Sequence, residues 1–543
     1  MPTGIDPCSR RTARFSGGFA VVGVSTILIS GISWIVMSGG IGDGLQSLSQ
    51  PGADANRSSV TVIVDGAVWY QTLDGFGQGA PSVVAYPVPQ SLSDAQRAVG
   101  VDKAYHQVGV NLGTIGTLLE SPGSYGQRQN DNSDPFRINW SGFSSASIEL
   151  AKKYVVDLAR PYGFTNYYLG AETPNIRWAS PWLADIRRRD YNSYLDEVAE
   201  QVLANVTFWQ NAYGEELPYY QLGNEQLSGN ECMIDPNKRD YGPVNPLQQM
   251  VDITKRAGAR LRGAGFLKTR FMVGSEETEE VSRLLATAIL SDLDARPYVA
   301  AIGYHSYPYG QGYSSASFIL STSGAGNADA RRVAVRHRLR NLGNKYHVHV
   351  WMTENSHGGP PLSYNTFRAR VVQIHDEFLY ANASAYFAYA AMWDLTSQRL
   401  HFKNGDLYGG GSDGNIVLIN NDTGAVDITG IGYAIGHYAR WVKPGAVRVD
   451  ATSSDPLVLV SAFRDDGRGT IALVLANNAA RPRSVSINLS GVSVSGDLAG
   501  EQSTTSGYWQ PLAEFAPSSA TMFTITLPPT SVTSIGGRLR SAA

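Results

Sequence analysis

The sequence predicts an α/β protein, a parallel (β/α)8 barrel with an appended β-sandwich domain, on three observations. From about residue 85 to 400, short apolar strands alternate with helical stretches such as SDAQRAVGVDKAYHQVG, SSASIELAKKYVVDLARPYG, YNSYLDEVAEQVLANVTFWQ and EVSRLLATAILSDL. Alternation sustained over so long a stretch implies parallel βα units, either a doubly wound sheet or an eight-stranded barrel. Within that region four strands end in polar residues, the pattern of a barrel mouth. From about Ala446 the helices vanish, and VRVDATSSDPLVLVSAFRDDGRGTIALVLANNAARPRSVSINLSG shows period-two apolar alternation broken by DG, NN and RP turns, which is the signature of a sandwich.

Taken in order, the chain opens with a basic tail, residues 1–14, holding Arg10, Arg11 and Arg14. An apolar segment follows at 15–38, its core running from Phe19 to Met37. Basic flank before apolar run is the grammar of an export signal. The run is just long enough to cross a bilayer as a helix and no A-x-A site follows it closely, so a signal anchor is favoured over a cleaved signal peptide. Either way the remainder faces the outside, secreted or held at the cell surface. Residues 39–59 form a Gly/Ser/Pro-rich flexible linker, 60–73 strands that join the sandwich, 74–430 the barrel and 431–543 the sandwich. The Gly-rich NGDLYGGGSDGN at 404–415 lacks the Lys-Ser/Thr ending and following helix of a phosphate loop, so it reads as a loop at a site rim.

Composition excludes several classes. With 43% hydrophobic and 17% charged residues the chain is globular in usage. A formal charge of −3 and the absence of a long basic run in the mature part exclude nucleic acid as a partner. Cys8 precedes the apolar run and Cys232 is the sole later thiol, so the exported part forms no intrachain disulfide and is expected to rely on core burial. Sequons at Asn56, Asn139, Asn205, Asn382, Asn421 and Asn488 are glycan acceptors if the host glycosylates. The expected assembly is a monomer.

The strand ends carry the chemistry. LPYYQLGNEQ brings up Asn224 and Glu225, KTRFMVGSEET brings up Glu276 and Glu277, VAAIGYHSYPYG brings up His305 and Tyr307, and YHVHVWMTEN brings up Thr353 and Glu354. A lone glutamate at a strand end is usually a loop residue or a partner of a helix N-terminus. Four aligned polar ends are harder to read as stopping signals. His347 and His349 form an H-x-H pair, but strand alternation puts them on the face of Trp351 and Thr353, opposite Glu354. They are read as outer-face residues packed under a helix, and a metal is rejected. If LPYYQLGNE is strand four and YHVHVWMTE strand seven, the two intervening strands complete the count, and both tips converge across the mouth of a ring of eight. Two carboxylates converging on a sugar-sized gap are what glycoside hydrolysis requires: one protonates the departing oxygen while the other attacks or activates water.

These motifs resemble a known family. GNEQ and WMTEN are similar to the acid/base and nucleophile motifs of retaining glycosidases with β/α barrels. Together with QTLDGFGQG, YHSYPYG and GYAIGHYARWVKPGAVRV leading into the sandwich, the ordered set resembles glycoside hydrolase family 30, over residues 60 to about 540. The resemblance implies Glu225 as acid/base, Glu354 as nucleophile and Asn224 as a hydrogen-bond partner of the substrate 2-hydroxyl. It also implies Trp178 and Trp393 as hydrophobic walls of the sugar subsite, with His305 and Tyr307 as a His-x-Tyr pair beside the nucleophile. Either Trp, taken alone, fits equally a packed core position. Gln226 stands where the family often has Pro, and Ala80, Pro81, Ser82 and Val83 stand where some exo-acting relatives place a carboxylate, which weighs against a strict glucosylceramidase-like exo activity.

The expected function is that of an exported retaining β-glycosidase acting on a β-linked oligosaccharide, polysaccharide or glycolipid, with no metal or organic cofactor. Two rivals stand beside it: a non-catalytic carbohydrate-binding surface protein on the same fold, and an inverting hydrolase using Glu276 or Glu277.

Overall fold

The computed structural model describes residues 59–80, 92–115, 130–170, 181–227, 244–306, 330–355, 360–396 and 414–540. Residues 59–543 form one compact unit, and residues 1–58, a unit of their own, lie outside the described residues. The apolar run Phe19 to Met37 therefore lies outside them too, as do residues 404–413 of the Gly-rich stretch and Cys232. Among the described residues no helix is long and apolar enough to cross a membrane.

The barrel is a closed ring of eight parallel strands: β2 (Gly75–Ala80), β3 (Leu112–Thr114), β4 (Asn166–Gly170), β5 (Tyr219–Gln221), β6 (Arg270–Gly274), β7 (Val299–His305), β8 (His349–Glu354) and β9 (Ala385–Asp394). Each pairs with the next, and β9 closes on β2 and β8. LPYYQLGNE is thus strand four of the ring and YHVHVWMTE strand seven. The β8–β9 pairing is short, Trp351 to Met352 against Ala385 to Tyr386. Beyond it β9 runs beside an added parallel strand, β10 (Asn415–Ile419), which carries the antiparallel β11 (Val426–Ile428).

Helices between the strands begin and end where local chemistry dictates. Ser93 and Gln96 form a capping box at Asp94–Val101. Asp190 accepts from Asn192 and Ser193 at the start of Tyr191–Tyr213, and Gly214, at φ 74°, ends that helix. The inner face of this helix includes Asn205, which is fully buried and donates to the Gln201 carbonyl. A glycan needs an exposed acceptor, so this sequon is not one, because helical periodicity turns it into the core.

The ring is filled by Leu112, Tyr168, Met272, Ala301, Trp351, Ala385 and Phe387, with Tyr219 packed against them, so seven of the strands send side chains into the interior. Strand β2 supplies glycines instead. A Cβ on Gly77 would lie 2.5 Å from the Phe387 ring, and one on Gly79 2.7 Å from the Thr353 carbonyl. Here the GFGQG motif is a packing requirement, with a neighbour occupying the room a side chain needs.

This interior packing corrects the reading of the two histidines. Trp351 points into the barrel, so the face it shares with His349 is the inner one. At the floor of the ring Asp74 accepts from the Trp351 indole at 2.7 Å and the Ser384 hydroxyl at 2.7 Å, and lies 2.8 Å from His349 Nδ1. His347 is exposed in the turn before β8, at φ 53°. Neither packs under a helix.

The second domain is a nine-stranded sheet folded around its own core, with strand order β17-β16-β19-β14-β13-β12-β1-β15-β18. Its strands are β1 (Ser59–Thr72), β12 (Val447–Ser453), β13 (Val458–Asp465), β14 (Thr470–Asn477), β15 (Arg483–Ser490), β16 (Val494–Thr504), β17 (Gly507–Pro511), β18 (Met522–Leu527) and β19 (Ser531–Leu539). Val60, Val62 and Val64 of β1 pack inward with Val485 and Ile487 of its neighbour β15 and with Leu473 and Leu475 of β14. Barrel and sandwich share a polar and aromatic seam: His437 sits between the Ser503 and Ser534 hydroxyls at 2.7 and 2.8 Å. Tyr433 stacks on Tyr508 with ring centroids 3.9 Å apart, and Arg440 pairs with Glu501.

Candidate active site

At the C-terminal ends of the barrel strands the backbone ladder continues past the regular strands and aims side chains into the mouth. Gly223 and Glu225 adopt positive φ of 89° and 50° after β5, and Gly274 and Ser275 of 98° and 53° at the end of β6. A non-glycine residue held in the left-handed region costs about 1 kcal/mol or more, and persists only where its surroundings impose it. The Glu225 N–H donates to the Ser275 carbonyl at 2.9 Å and the Ser275 N–H to the Gly303 carbonyl at 2.8 Å. His305 N–H donates to the Glu276 carbonyl at 3.2 Å and Ser306 N–H to the Glu354 carbonyl at 3.1 Å. Between β7 and β8 the register slips, so that Tyr304 faces Met352 but His305 faces Glu354. The extra residue, Thr353, lets Glu354 as well as Trp351 project to the inner side.

Glu225, His305 and Glu354 meet. His305 Nδ1 lies 2.9 Å from Glu225 Oε1, and its Nε2 lies 3.7 Å from Glu354 Oε2, an ionic rather than hydrogen-bonding distance. One ligand atom from each of the three lies within 4.8 Å of the others. The His305 side chain is 1% exposed, Glu225 18% and Glu354 15%, so the histidine is enclosed while both carboxylates keep some access to the mouth. Burial alone would lower the His305 pKa, but the Glu354 charge, the hydrogen bond His305 donates to Glu225 and that residue's charge raise it to about 9. Protonated, the imidazole offers no lone pair and acts toward both carboxylates as a cation. Below them Tyr168 has its phenol pushed far up by burial and then by the charge of Glu354.

The other expected residues are placed differently. The Asn224 side-chain oxygen accepts from Gln221 Nε2 at 3.1 Å, beside Glu225. Trp393, the penultimate residue of β9, is 2% exposed and stacks on Tyr389 at 5.5 Å. Trp178 and Tyr307 lie outside the described residues. Glu276 is fully buried and its two oxygens accept from the Gln226 and Leu227 N–H groups at 3.0 and 2.9 Å. Glu277 is exposed, its carboxyl raised first by partial desolvation and then by the charge of Glu225.

Behind the site lies a buried ionic cluster that the sequence motifs did not disclose. Glu279, Glu377, Arg332 and Arg336 surround the Ser306 hydroxyl, which receives Arg332 Nη2 at 2.6 Å and Arg336 Nη2 at 3.0 Å. Arg336 also pairs with Glu377, and Arg370 donates to Asn355, the residue after Glu354. These charges come from three separate helical segments, and helix patterning alone does not reveal that they converge.

Residues 445–535 match the sequence model of the glycosyl hydrolase family 30 beta sandwich domain. Comparison with curated protein sequences gives no match. Among solved structures, a family 30 endoxylanase from Clostridium papyrosolvens is similar at 18% identity with a TM-score of 0.57, over 88% of this chain and 100% of that one. The catalytic domain of family 30 xylanase C from Talaromyces cellulolyticus is similar at 16% identity and a TM-score of 0.61, over 89% and 100%. An endo-β1,6-glucanase is similar at 19% identity and a TM-score of 0.56, over 89% and 96%. At such identities these structures speak for the fold, and the sequence match speaks for the sandwich domain. The sandwich, residues 445–535, matches the family 30 beta sandwich domain, and the two-domain fold is similar to that of solved glycoside hydrolases of family 30.

Proposed function

We propose that the chain is an exported retaining β-glycosidase in which Glu354 is the nucleophile and Glu225 the general acid/base. The observation that carries this reading is the approach of the two carboxylates, with one oxygen of each within 4.8 Å. Retaining glycosidases hold their carboxyl groups about 5 to 5.5 Å apart, whereas inverting ones leave several ångströms more for a water.

In the first step Glu354 attacks the anomeric carbon, the glycosidic C–O bond breaks, and its electron pair leaves on the departing oxygen, which takes the proton from Glu225. In the second, Glu225 removes a proton from water as that water attacks the anomeric carbon and releases Glu354. His305 supports the pair as a cation beside Glu354 before substrate binds, and Asn224 stands where the 2-hydroxyl of the cleaved sugar is held. The substrate class is a β-linked oligosaccharide, polysaccharide or glycolipid. Export rests on the arginines at 10, 11 and 14 ahead of the apolar run.

The test is product stereochemistry. Proton NMR of early hydrolysis of an aryl β-glycoside or β-linked oligosaccharide is expected to show the β-anomer first. An initial α-anomer would overturn retention, and no hydrolysis of any β-glycan by folded protein would favour the carbohydrate-binding rival.

A further inference from the structure

Glu276 ends strand five beside the site, and both its oxygens are engaged by backbone. Gln226 N–H reaches Oε1 at 3.0 Å and Leu227 N–H reaches Oε2 at 2.9 Å, so a buried carboxylate clasps the two residues that follow Glu225. The Glu276 main chain is fixed in turn: its N–H donates to the Ser282 hydroxyl at 3.0 Å, and its carbonyl accepts from His305 N–H at 3.2 Å. Glu225 itself stands at φ 50°, a conformation with an intrinsic cost that a neighbouring clamp must offset. The N–H of Gln226 matters here, because proline at this position would have none to give.

We propose that Glu276 is a positioning residue that holds Glu225 in its left-handed conformation and so aims the acid at the departing oxygen. Charge-assisted bonds from two N–H groups to one buried carboxylate are short and directional, which suits a joint that must not rotate. Through its carbonyl the same residue fixes His305, so one side chain and its own backbone set both partners of the 2.9 Å contact. The role rests on the assignment of Glu225 as acid/base, and it differs from the rival in which Glu276 reacts directly, since both its oxygens are committed to backbone.

The experiment compares Glu276→Gln and Glu225→Ala with the full chain on dinitrophenyl and on unsubstituted phenyl β-glycosides, with thermal melting as a check of folding. Loss of acid aim hurts only substrates whose leaving group needs a proton, and general acid catalysis contributes about 100-fold or more to these. The expected result for Glu276→Gln is a fall of about 30-fold in kcat/KM on the phenyl glycoside and less than about threefold on the dinitrophenyl one, a smaller copy of the Glu225→Ala pattern. Glu276→Asp, which keeps the charge but reaches one N–H less well, is expected to fall between and carries the comparison if Glu276→Gln does not fold. Equal loss on both substrates in the Glu276 variants, with leaving-group-dependent loss in Glu225→Ala, would overturn the positioning role alone. Equal loss in Glu225→Ala would overturn both assignments.

Discussion

His305 Nδ1 lies 2.9 Å from Glu225 Oε1, so the side chain that closes strand six touches the one that follows strand four, across the end of the strand between them. That bond locates the site within the mouth and ties its charge balance to one imidazole.

The first prediction concerns the carboxylates. Glu354→Gln is expected to lower kcat by at least about 10⁴-fold while the melting temperature stays within a few degrees, because the amide fills the same space but is no nucleophile. Glu225→Ala is expected to regain turnover of dinitrophenyl β-glycosides when azide is added, giving a glycosyl azide detectable by chromatography. Near-native activity of Glu354→Gln would remove it from the mechanism.

A second prediction follows from the cationic His305. Its pKa of about 9 exceeds the unfolded value near 6.5, so it contributes stability that is complete below about pH 6.5 and lost as pH rises through 9. Melting temperatures from pH 6 to 10 are expected to fall more steeply for the wild type than for His305→Gln. The same variant is expected to lose about 10- to 100-fold in kcat/KM at neutral pH, from loss of the charge facing Glu354. Parallel melting curves would show that the histidine is not charged in the folded protein.

A third prediction concerns Glu200, on the inner face of the helix Tyr191–Tyr213. It is 2% exposed, its Oε1 has no hydrogen-bond partner among the described residues, and burial, then the charges of Asp131 and Glu197, raise its pKa to about 8. A carboxyl whose folded pKa exceeds its unfolded value near 4.3 costs stability progressively as pH rises between the two. Glu200→Gln is therefore expected to gain about 1 to 3 kcal/mol at pH 8.5 and little at pH 5, read by denaturant unfolding. A loss at pH 8.5 would mean that the carboxylate has a stabilising partner in solution.

The fourth prediction concerns the seam between barrel and sandwich. His437 and His375 are buried neutral, with pKa values lowered to about 3 and about 4, first by burial and then by Arg440 and Arg448. Their stabilisation is complete above the unfolded value near 6.5 and is lost as pH falls toward those values, at about 1.4 kcal/mol per pH unit for each group. His437→Gln is expected to unfold less steeply with acid between pH 6.5 and 4 in thermal melts, and an unchanged slope would refute the buried neutral state.

Much of this was legible in the sequence, for reasons that also explain what was not. Strand-helix alternation and the motif order give the ring of eight, because parallel βα units repeat their pattern locally. Glu225 and Glu354 announced themselves as carboxylates at strand tips. The face of His347 and His349 was misread because alternation alone does not say which face is inner, and the slip between β7 and β8 lets Glu354 break parity with its strand. The clasp of Glu276 and the cluster around Ser306 depend on contacts between residues 20 to 70 positions apart, which no periodicity encodes.

Strand β1 lies between β12 and β15, antiparallel to one and parallel to the other, though well over half the chain separates Thr72 from Val447. The sandwich, synthesised after the barrel, is thus missing an interior strand unless β1 is kept waiting for it. Closing so long a loop is slow, and a waiting strand with both edges bare invites wrong partners. Excised alone from residue 445, the sandwich has a gap where Val60, Val62 and Val64 belong. Biogenesis, more than the resting fold, is where a short deletion near residue 60 is expected to be felt.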